Sequence, residues 1–248
     1  MISSKKKLHD AHVHIHDEAL VLKMKQEEIS CIANAASLEE YAFLKDMHRI
    51  YDGIHISAGI HPWNVEKQRY EEMEPMLQDA SFIGEIGMDN VWCECALEKQ
   101  EEVFKRQLQY AMDAKKPVIL HTKGMEKEIL ACIKDYPNTY LVHWYSCNQY
   151  LEDYIKLGCW FTIGVSFMQD EAVKQVALKA PLDHILLESD GLDAIAWAMG
   201  NTIGVQDYPK VLETSLINLG KLRGMHPDEF IETLDKNYKT FIKLGENR

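Results

Sequence analysis

No stretch of this 248-residue chain is apolar for the roughly 20 residues that a bilayer-crossing helix needs. The opening "MISSKKKLHD" has basic residues but no apolar run behind them, so it is not a secretory signal, and a cytoplasmic protein without a membrane partner is expected. Basic side chains are scarce as well: 27 Lys and Arg face 39 Asp and Glu, a net charge of -12. A surface of that sign repels phosphate backbones at long range, so any nucleic-acid role needs local positive charge such as bound metal ions. Cysteine is sparse and scattered, at positions 31, 93, 95, 132, 147 and 159, which fits reduced thiols rather than a disulfide framework. Only Cys93 and Cys95 stand together, as C-x-C, and without a second pair they read as loop thiols rather than a soft-metal site. Linkers rich in Pro or Gly, internal repeats and low-complexity tracts are missing too. Residues 1–248 are therefore expected to form one domain, of a size that barrels of alternating strands and helices often reach.

What is present is a regular alternation of short apolar runs with longer segments of helical period. Strands are predicted at "KLHDAHVHI", "EISCIANAA", "IHISAGIHP", "SFIGEIGMD", "KPVILHTKG", "TYLVHWYS", "CWFTIGVS" and "DHILLESDG". Eight is the number that a closed parallel barrel of TIM type, (β/α)8, requires. In "EKQEEVFKRQLQYAMDAKK" the residues Val103, Phe104, Leu108, Ala111 and Met112 repeat at helical spacing. The tail "HPDEFIETLDKNYKTFIKLG" predicts a closing helix with Pro227 in its first turn, a stripe of Phe230, Leu234, Tyr238 and Phe241, and Gly245 as its stop. The longest irregular stretch is "DGLDAIAWAMGNTIGVQDYP", residues 190–209, a candidate wall or lid for a substrate.

Barrel chemistry sits at the C-terminal ends of the strands, and there the polar residues collect. In order they are His12 and His14, His61, Glu85, His121, His143 and Asp190. His12 and His14 are two apart, so an extended strand turns both to one face. Each residue alone has a structural explanation, a hydrogen-bonded core histidine or a turn cap. Together, buried carboxylates and imidazole lone pairs at one mouth call for a cation to compensate them. A single tetrahedral catalytic ion uses three protein ligands, so about six candidates suggest two divalent ions, with Glu85 as the bridge. Zinc, manganese and iron suit this mixture of nitrogen and oxygen, and magnesium suits it less. Hydrolysis is the expected chemistry, because a bound cation lowers the pKa of water from about 15.7 to about 7 in the best zinc sites. Asp190 is the candidate general acid and base. Asp10, on the strand face of the histidines, is expected to orient a ligand ring.

These pieces ("DAHVHIH", "AGIHPW", "IGEIGMDN", "QEEVFKRQLQYA", "KPVILHT", "LVHWYS", "LLESD") together resemble the TatD family of metal-dependent hydrolases, amidohydrolase-like barrels, over about three quarters of the chain. The resemblance implies a distorted eight-stranded barrel whose two metals are held by His12, His14, Glu85, His121, His143 and Asp190. It also implies phosphodiesterase activity, often on DNA, with His61 near the substrate phosphate. The chain departs from that family on the substrate side. Lys123 stands where an Arg is usual, exchanging a planar clamp for a point charge. No proline follows Asp190, Asn237 is followed by "YKT" without the usual Arg, and His16 stands where an Asp is frequent.

DNA is therefore joined by a small phosphoester, or even a carbon–nitrogen or ester bond, as the expected target, and no obligate protein partner is implied. A histidinol-phosphatase-like reading lacks its closing Asp-x-His, and a carbamylated-lysine amidohydrolase would not have Glu85 at the bridging position. A barrel that keeps its metal ligands without catalysis is the alternative from outside enzymology.

Overall fold

The computed structural model describes residues 8–246; Lys7, where the first predicted strand begins, lies outside them, as do both ends of the expected 1–248 domain. Strands and helices alternate from the start: β1 (His9–Val13), α1 (Glu18–Glu27), β2 (Ser30–Ala35), α2 (Leu38–Ile50), β3 (Ile54–Ala58), α3 (Tyr70–Asp79), β4 (Phe82–Gly87) and α4 (Leu97–Asp113). The second half continues with β5 (Val118–His121), α5 (Glu126–Ile133), β6 (Tyr140–Val142), α6 (Leu151–Lys156), β7 (Trp160–Ile163), α7 (Glu171–Lys179) and β8 (Ile185–Leu187). Three helices follow: α8 (Leu192–Met199), α9 (Tyr208–Leu222) and α10 (Pro227–Glu246). Every strand is parallel to its neighbour and the spatial order is the chain order, the topology of a TIM-type (β/α)8 barrel.

No ladder joins β8 to β1 among the described residues. That seam is closed just beyond β8, where Asp190 N–H donates to the His12 carbonyl at 3.0 Å and Ser189 N–H donates to the Asp10 carboxylate at 3.0 Å.

The barrel interior is filled by one apolar layer: Ala11, Ile32, Phe82, Ile119, Leu141, Trp160 and Leu186, packed against Tyr238, Phe241 and Ile242 of α10. Helix α10 thus plugs the bottom of the barrel, and its stripe of Phe230, Leu234, Tyr238 and Phe241 is buried. Asn237 fixes it to the start of β8 by donating to the carbonyls of Leu182 and Ile185 at 2.8 and 2.9 Å. Gly245 is not the helix stop that the sequence suggested. It lies inside α10, where a Cβ would come within 2.6 Å of the Phe82 ring, so its lack of a side chain permits close approach.

Residues 190–209, expected to be irregular, contain helix α8. Its sequence, LDAIAWAM, is apolar nearly all round and shows no stripe, which hid it from a reading based on periodicity. Gly200, in a left-handed conformation at φ 69°, ends it. Along α4, Val103, Phe104, Leu108 and Ala111 are buried as expected, while Met112 is only half-buried. Two glutamines share that buried face. Gln107 holds Ile60 by both its N–H and its carbonyl, and Gln100 holds Asp89 in the same way, so α4 pins the loops that follow β3 and β4.

Candidate metal centre

Above the apolar layer, each of the eight strands contributes one polar residue, within it or, for His143 and Glu188, one residue past its end, to a second layer: His12, Asn34, Ser57, Glu85, His121, His143, Thr162 and Glu188. On β2, β5, β6, β7 and β8 these stand two residues after the apolar plug, as strand alternation requires. On β1 and β4 the spacing is one and three residues, and both strands break register, between Asp10 and Val13 and between Ile83 and Ile86. A bulge re-aims a side chain, and here it brings His12 and Glu85 to the mouth. His14 follows β1 directly, with its ring edge-on to that of His12 at 5.5 Å between centroids.

Glu85 is the centre of the arrangement, and its two oxygens face different partners. Oε2 lies 3.5 Å from Nε2 of both His12 and His14, and those nitrogens are 3.4 and 3.7 Å from Asp190 Oδ1. Oε1 lies 2.7 Å from His121 Nδ1, 2.9 Å from His143 Nε2 and 3.6 Å from His61 Nε2. All six predicted ligands therefore meet around one carboxylate. His12 Nε2 is buried without a hydrogen-bond partner, an orphan that a metal ion would satisfy. Three overlapping triads of donors are close enough to hold an ion: His12, His143 and Asp190; His12, His14 and Glu85; His61, Glu85 and His121. None of them includes a cysteine. Cys93 and Cys95 instead approach the carbonyls of Pro62 and Trp63, beside His61.

The electrostatics match that reading. Burial works against charge on Glu85, but the rings of His143, His61, His12 and His121 hold its carboxyl well below the usual carboxylate range. Asp190 is lowered against its burial by His12 and His143. Burial also opposes protonation of His12, yet Asp190 and Glu85 hold its pKa up at about 9, and His143 is held well above its ordinary value by Glu85 and Glu188. Protons on the imidazoles thus balance the buried carboxylates, the task that divalent cations perform when they displace those protons.

Carboxylates that the sequence reading passed over hold the rings in place. Asp89 Oδ2 accepts from His121 Nε2 at 3.0 Å and from the Trp63 indole at 2.8 Å, leaving His121 Nδ1 for the centre. Glu188 accepts from Trp144 N–H at 2.8 Å and lies 3.4 Å from His143 Nδ1, which leaves His143 Nε2 for the centre. The Asn34 amide lies 2.9 Å from His12 Nδ1. Ring-orienting partners of this kind are what metal-binding histidines require. The family described as TatD related DNase matches the chain over residues 9–243.

The chain belongs to that family. At the sequence level it is 26% identical to an uncharacterized metal-dependent hydrolase of Methanocaldococcus jannaschii, over 94% of this chain and 96% of the other. It is 25% identical to the uncharacterized metal-dependent hydrolase YjjV of Escherichia coli, over 95% of this chain and 97% of the other. The crystal structure of YjjV, a TatD homologue, superposes with a TM-score of 0.82 at 23% identity, covering 96% of this chain and 98% of that one.

Around its centre this TatD-family barrel opens a cavity of about 690 Å³. His61 and Lys123 both line it. Trp63 N–H donates to His61 Nδ1 at 3.2 Å, and burial lowers the pKa of the ring, so the neutral imidazole carries its proton on Nε2, facing Glu85. Lys123 Nζ sits 4.3 Å over the Trp92 ring and donates to Ser146 Oγ at 3.1 Å. Asp10 does not touch an imidazole as the sequence suggested. Its oxygens accept from the backbone N–H of His12 and Ser189 and from the hydroxyls of Ser189 and Tyr208. Ala11, the next residue, faces the barrel interior, so alternation turns Asp10 to the other side, toward Ser189 and Tyr208, where it positions the backbone that carries His12 and Asp190 rather than a ring. Gly191 is needed beside it: at φ 96° its absent Cβ would stand 2.7 Å from the His14 carbonyl.

Proposed function

We propose that this TatD-family chain is a dinuclear metal-dependent phosphoesterase, acting on phosphodiesters. The observation that carries the reading is Glu85, whose two oxygens face two separate donor sets. His12, His14 and Asp190 would hold one divalent ion with Oε2; His121 and His143 would hold a second with Oε1. The donor set suits zinc, manganese or iron better than magnesium. Bound there, the ions supply positive charge that acidifies a water and stabilises charge developing on a phosphoryl group.

The protein's own groups supply the rest. Asp190 is a carboxylate at neutral pH, and its side chain keeps 24% exposure toward the cavity. It accepts the proton of the attacking water and returns it to the leaving oxygen as that P–O bond breaks. His61 offers an N–H donor to a phosphoryl oxygen, and Lys123 places a point charge further out. Asp89 and Glu188 keep the rings of His121 and His143 from turning.

The test is to strip the protein, refill it with manganese, cobalt or zinc, and assay a nitrophenyl phosphodiester, single-stranded DNA and a panel of carboxylic esters and amides. The reading expects two ions per chain and release of nitrophenol that Asp190→Asn reduces at least 100-fold with the fold intact. Two bound ions without turnover of any substrate would establish a non-catalytic barrel. Turnover confined to amides or carboxylic esters would move the assignment to C–N or ester hydrolysis.

A further inference from the structure

The chain has five tryptophans, and four of them, Trp63, Trp92, Trp144 and Trp197, line the cavity above the candidate centre. The fifth, Trp160, belongs to the barrel core. Three of the four are strongly exposed: Trp63 at 45%, Trp92 at 53% and Trp197 at 70%. Leaving three indoles in water is unfavourable, and such surface inside a cavity marks a place for a ligand. Trp197 meets Trp92 at 6.3 Å between centroids and 79° between planes, and Trp144 at 6.4 Å and 64°. The rings contact edge to face, so they form a corner instead of stacking on one another, with Lys123 over one face of Trp92. Helix α8 supplies Trp197 and the loop after β4 supplies Trp92, so the corner lies at the mouth and not on the floor.

Charge narrows the choice of ligand. Among the described residues Lys123 is the only Lys or Arg lining the cavity, and it sits against the Trp92 face. Asp17, Glu40, Glu126, Asp170 and Asp193 line the same space. A strand with a phosphate at each step would meet these carboxylates, whereas an ester with a single phosphate can place it at the centre and Lys123 and keep its organic part on the indoles.

We infer that the tryptophan corner is a subsite for a flat aromatic ring, and that the substrate is a small, single-phosphate ester of such a ring. The phosphate half rests on the phosphoesterase reading; the ring half rests on the indoles alone.

Calorimetry of the full-length protein with naphthyl phosphate and with ethyl phosphate tests the ring directly, since the two differ in the ring and not in the phosphate. Naphthyl phosphate should bind about tenfold tighter or more, and Trp92→Ala and Trp197→Ala should each remove most of that preference, as stacking of a flat ring on one aromatic side chain is worth roughly 5- to 150-fold in binding. Both side chains are largely exposed, so the variants should fold, which circular dichroism checks. Equal binding of the two esters, or a preference that survives in the double variant, overturns the inference. So does tighter binding of a single-stranded oligonucleotide than of naphthyl phosphate. So does a change of sedimentation in Trp197→Ala with the ring preference untouched, which would mark a contact between copies. A ring preference lost in the variants, without turnover of either ester or of a nitrophenyl phosphodiester under any metal, upholds the ring subsite and sinks the phosphoesterase reading alone.

Discussion

Asp10→Asn separates the charge of a buried carboxyl from its hydrogen bonds. Asp10 is fully buried and accepts from the backbone N–H of His12 at 3.3 Å and of Ser189 at 3.0 Å, and from the Tyr208 hydroxyl at 2.7 Å. Asparagine keeps an acceptor for the two amides, and the hydroxyls of Ser189 and Tyr208 can rotate to receive its NH2. What it lacks is the charge. Burial pushes the Asp10 carboxyl up from 3.8 to about 6, against the hydrogen bonds that favour its ionised form. A folded-state pKa above the unfolded one means that the contribution to stability is complete below the unfolded value and is lost as pH rises through about 6. A difference of about two pH units, at about 1.4 kcal/mol each, gives roughly 3 kcal/mol. Asparagine suffers no such loss. Between about pH 4 and pH 8 the variant should therefore gain between about 2 and 3 kcal/mol relative to wild type, read as paired urea denaturation curves at each pH. No swing, or one toward the wild type, refutes the reasoning. Asp10→Ala is the control: it leaves four buried donors without an acceptor and should be less stable than the asparagine variant by about 3 kcal/mol or more at every pH.

Three other outcomes follow from the same contacts. In metal-free protein the His12 ring has a pKa of about 9 against an ordinary 6.5, so the stability it contributes is present below about 6.5 and is lost as pH rises through about 9. The melting temperature of chelator-treated protein should fall across that window while zinc affinity rises, because metal and protons compete for the ring; a flat melting temperature contradicts this. Glu188→Gln should weaken metal binding about 10–100-fold in a chelator competition with the far-ultraviolet spectrum unchanged, since it loosens His143 without removing a ligand. Gly245→Ala should destabilise by about 1–3 kcal/mol in spite of alanine's better helix propensity, because the added methyl meets the buried Phe82 ring at 2.6 Å; unchanged or higher stability would show that α10 shifts freely.

The barrel was legible because its eight strands are short apolar runs separated by helical periods, and that contrast does not depend on tertiary context. Ionisable residues at the strand ends were legible for a similar reason: His121 and His143 interrupt runs that are otherwise apolar, and Asp190 closes the polar triplet that ends one. What stayed hidden was polar residues doing structural work in plain sequence. Asn34 and Ser57 sit inside "CIANAA" and "IHISAG" and look like ordinary strand residues, yet they back the His12 ring. Asp89 lies four residues after Glu85 in "IGEIGMDN" but reads as a turn residue, and Gln100 and Gln107 read as the polar face of α4. A usable signal did exist. Position two after each barrel plug (32 and 34, 119 and 121, 141 and 143, 160 and 162, 186 and 188) is polar in five strands, and following that register would have found Asn34, Thr162 and Glu188.

The two strands that break this register explain why the centre is built as it is. With regular alternation, β1 would send Val13 to the mouth after Ala11, and β4 would send Gly84 and Ile86 there after Phe82. The mouth would then be apolar on that side. The irregularities at Asp10–Val13 and Ile83–Ile86 turn His12 and Glu85 inward instead, while Val13 and Ile86 join the outer core. Glu85 can face two donor sets only because it enters from a strand out of phase with β5 and β6, whose histidines approach one oxygen, and opposite β1 and the seam, whose His12, His14 and Asp190 approach the other. A fully regular barrel of this sequence would keep every residue of the set and lose their convergence on Glu85, so the donor cluster resides in the two register breaks as much as in the six side chains.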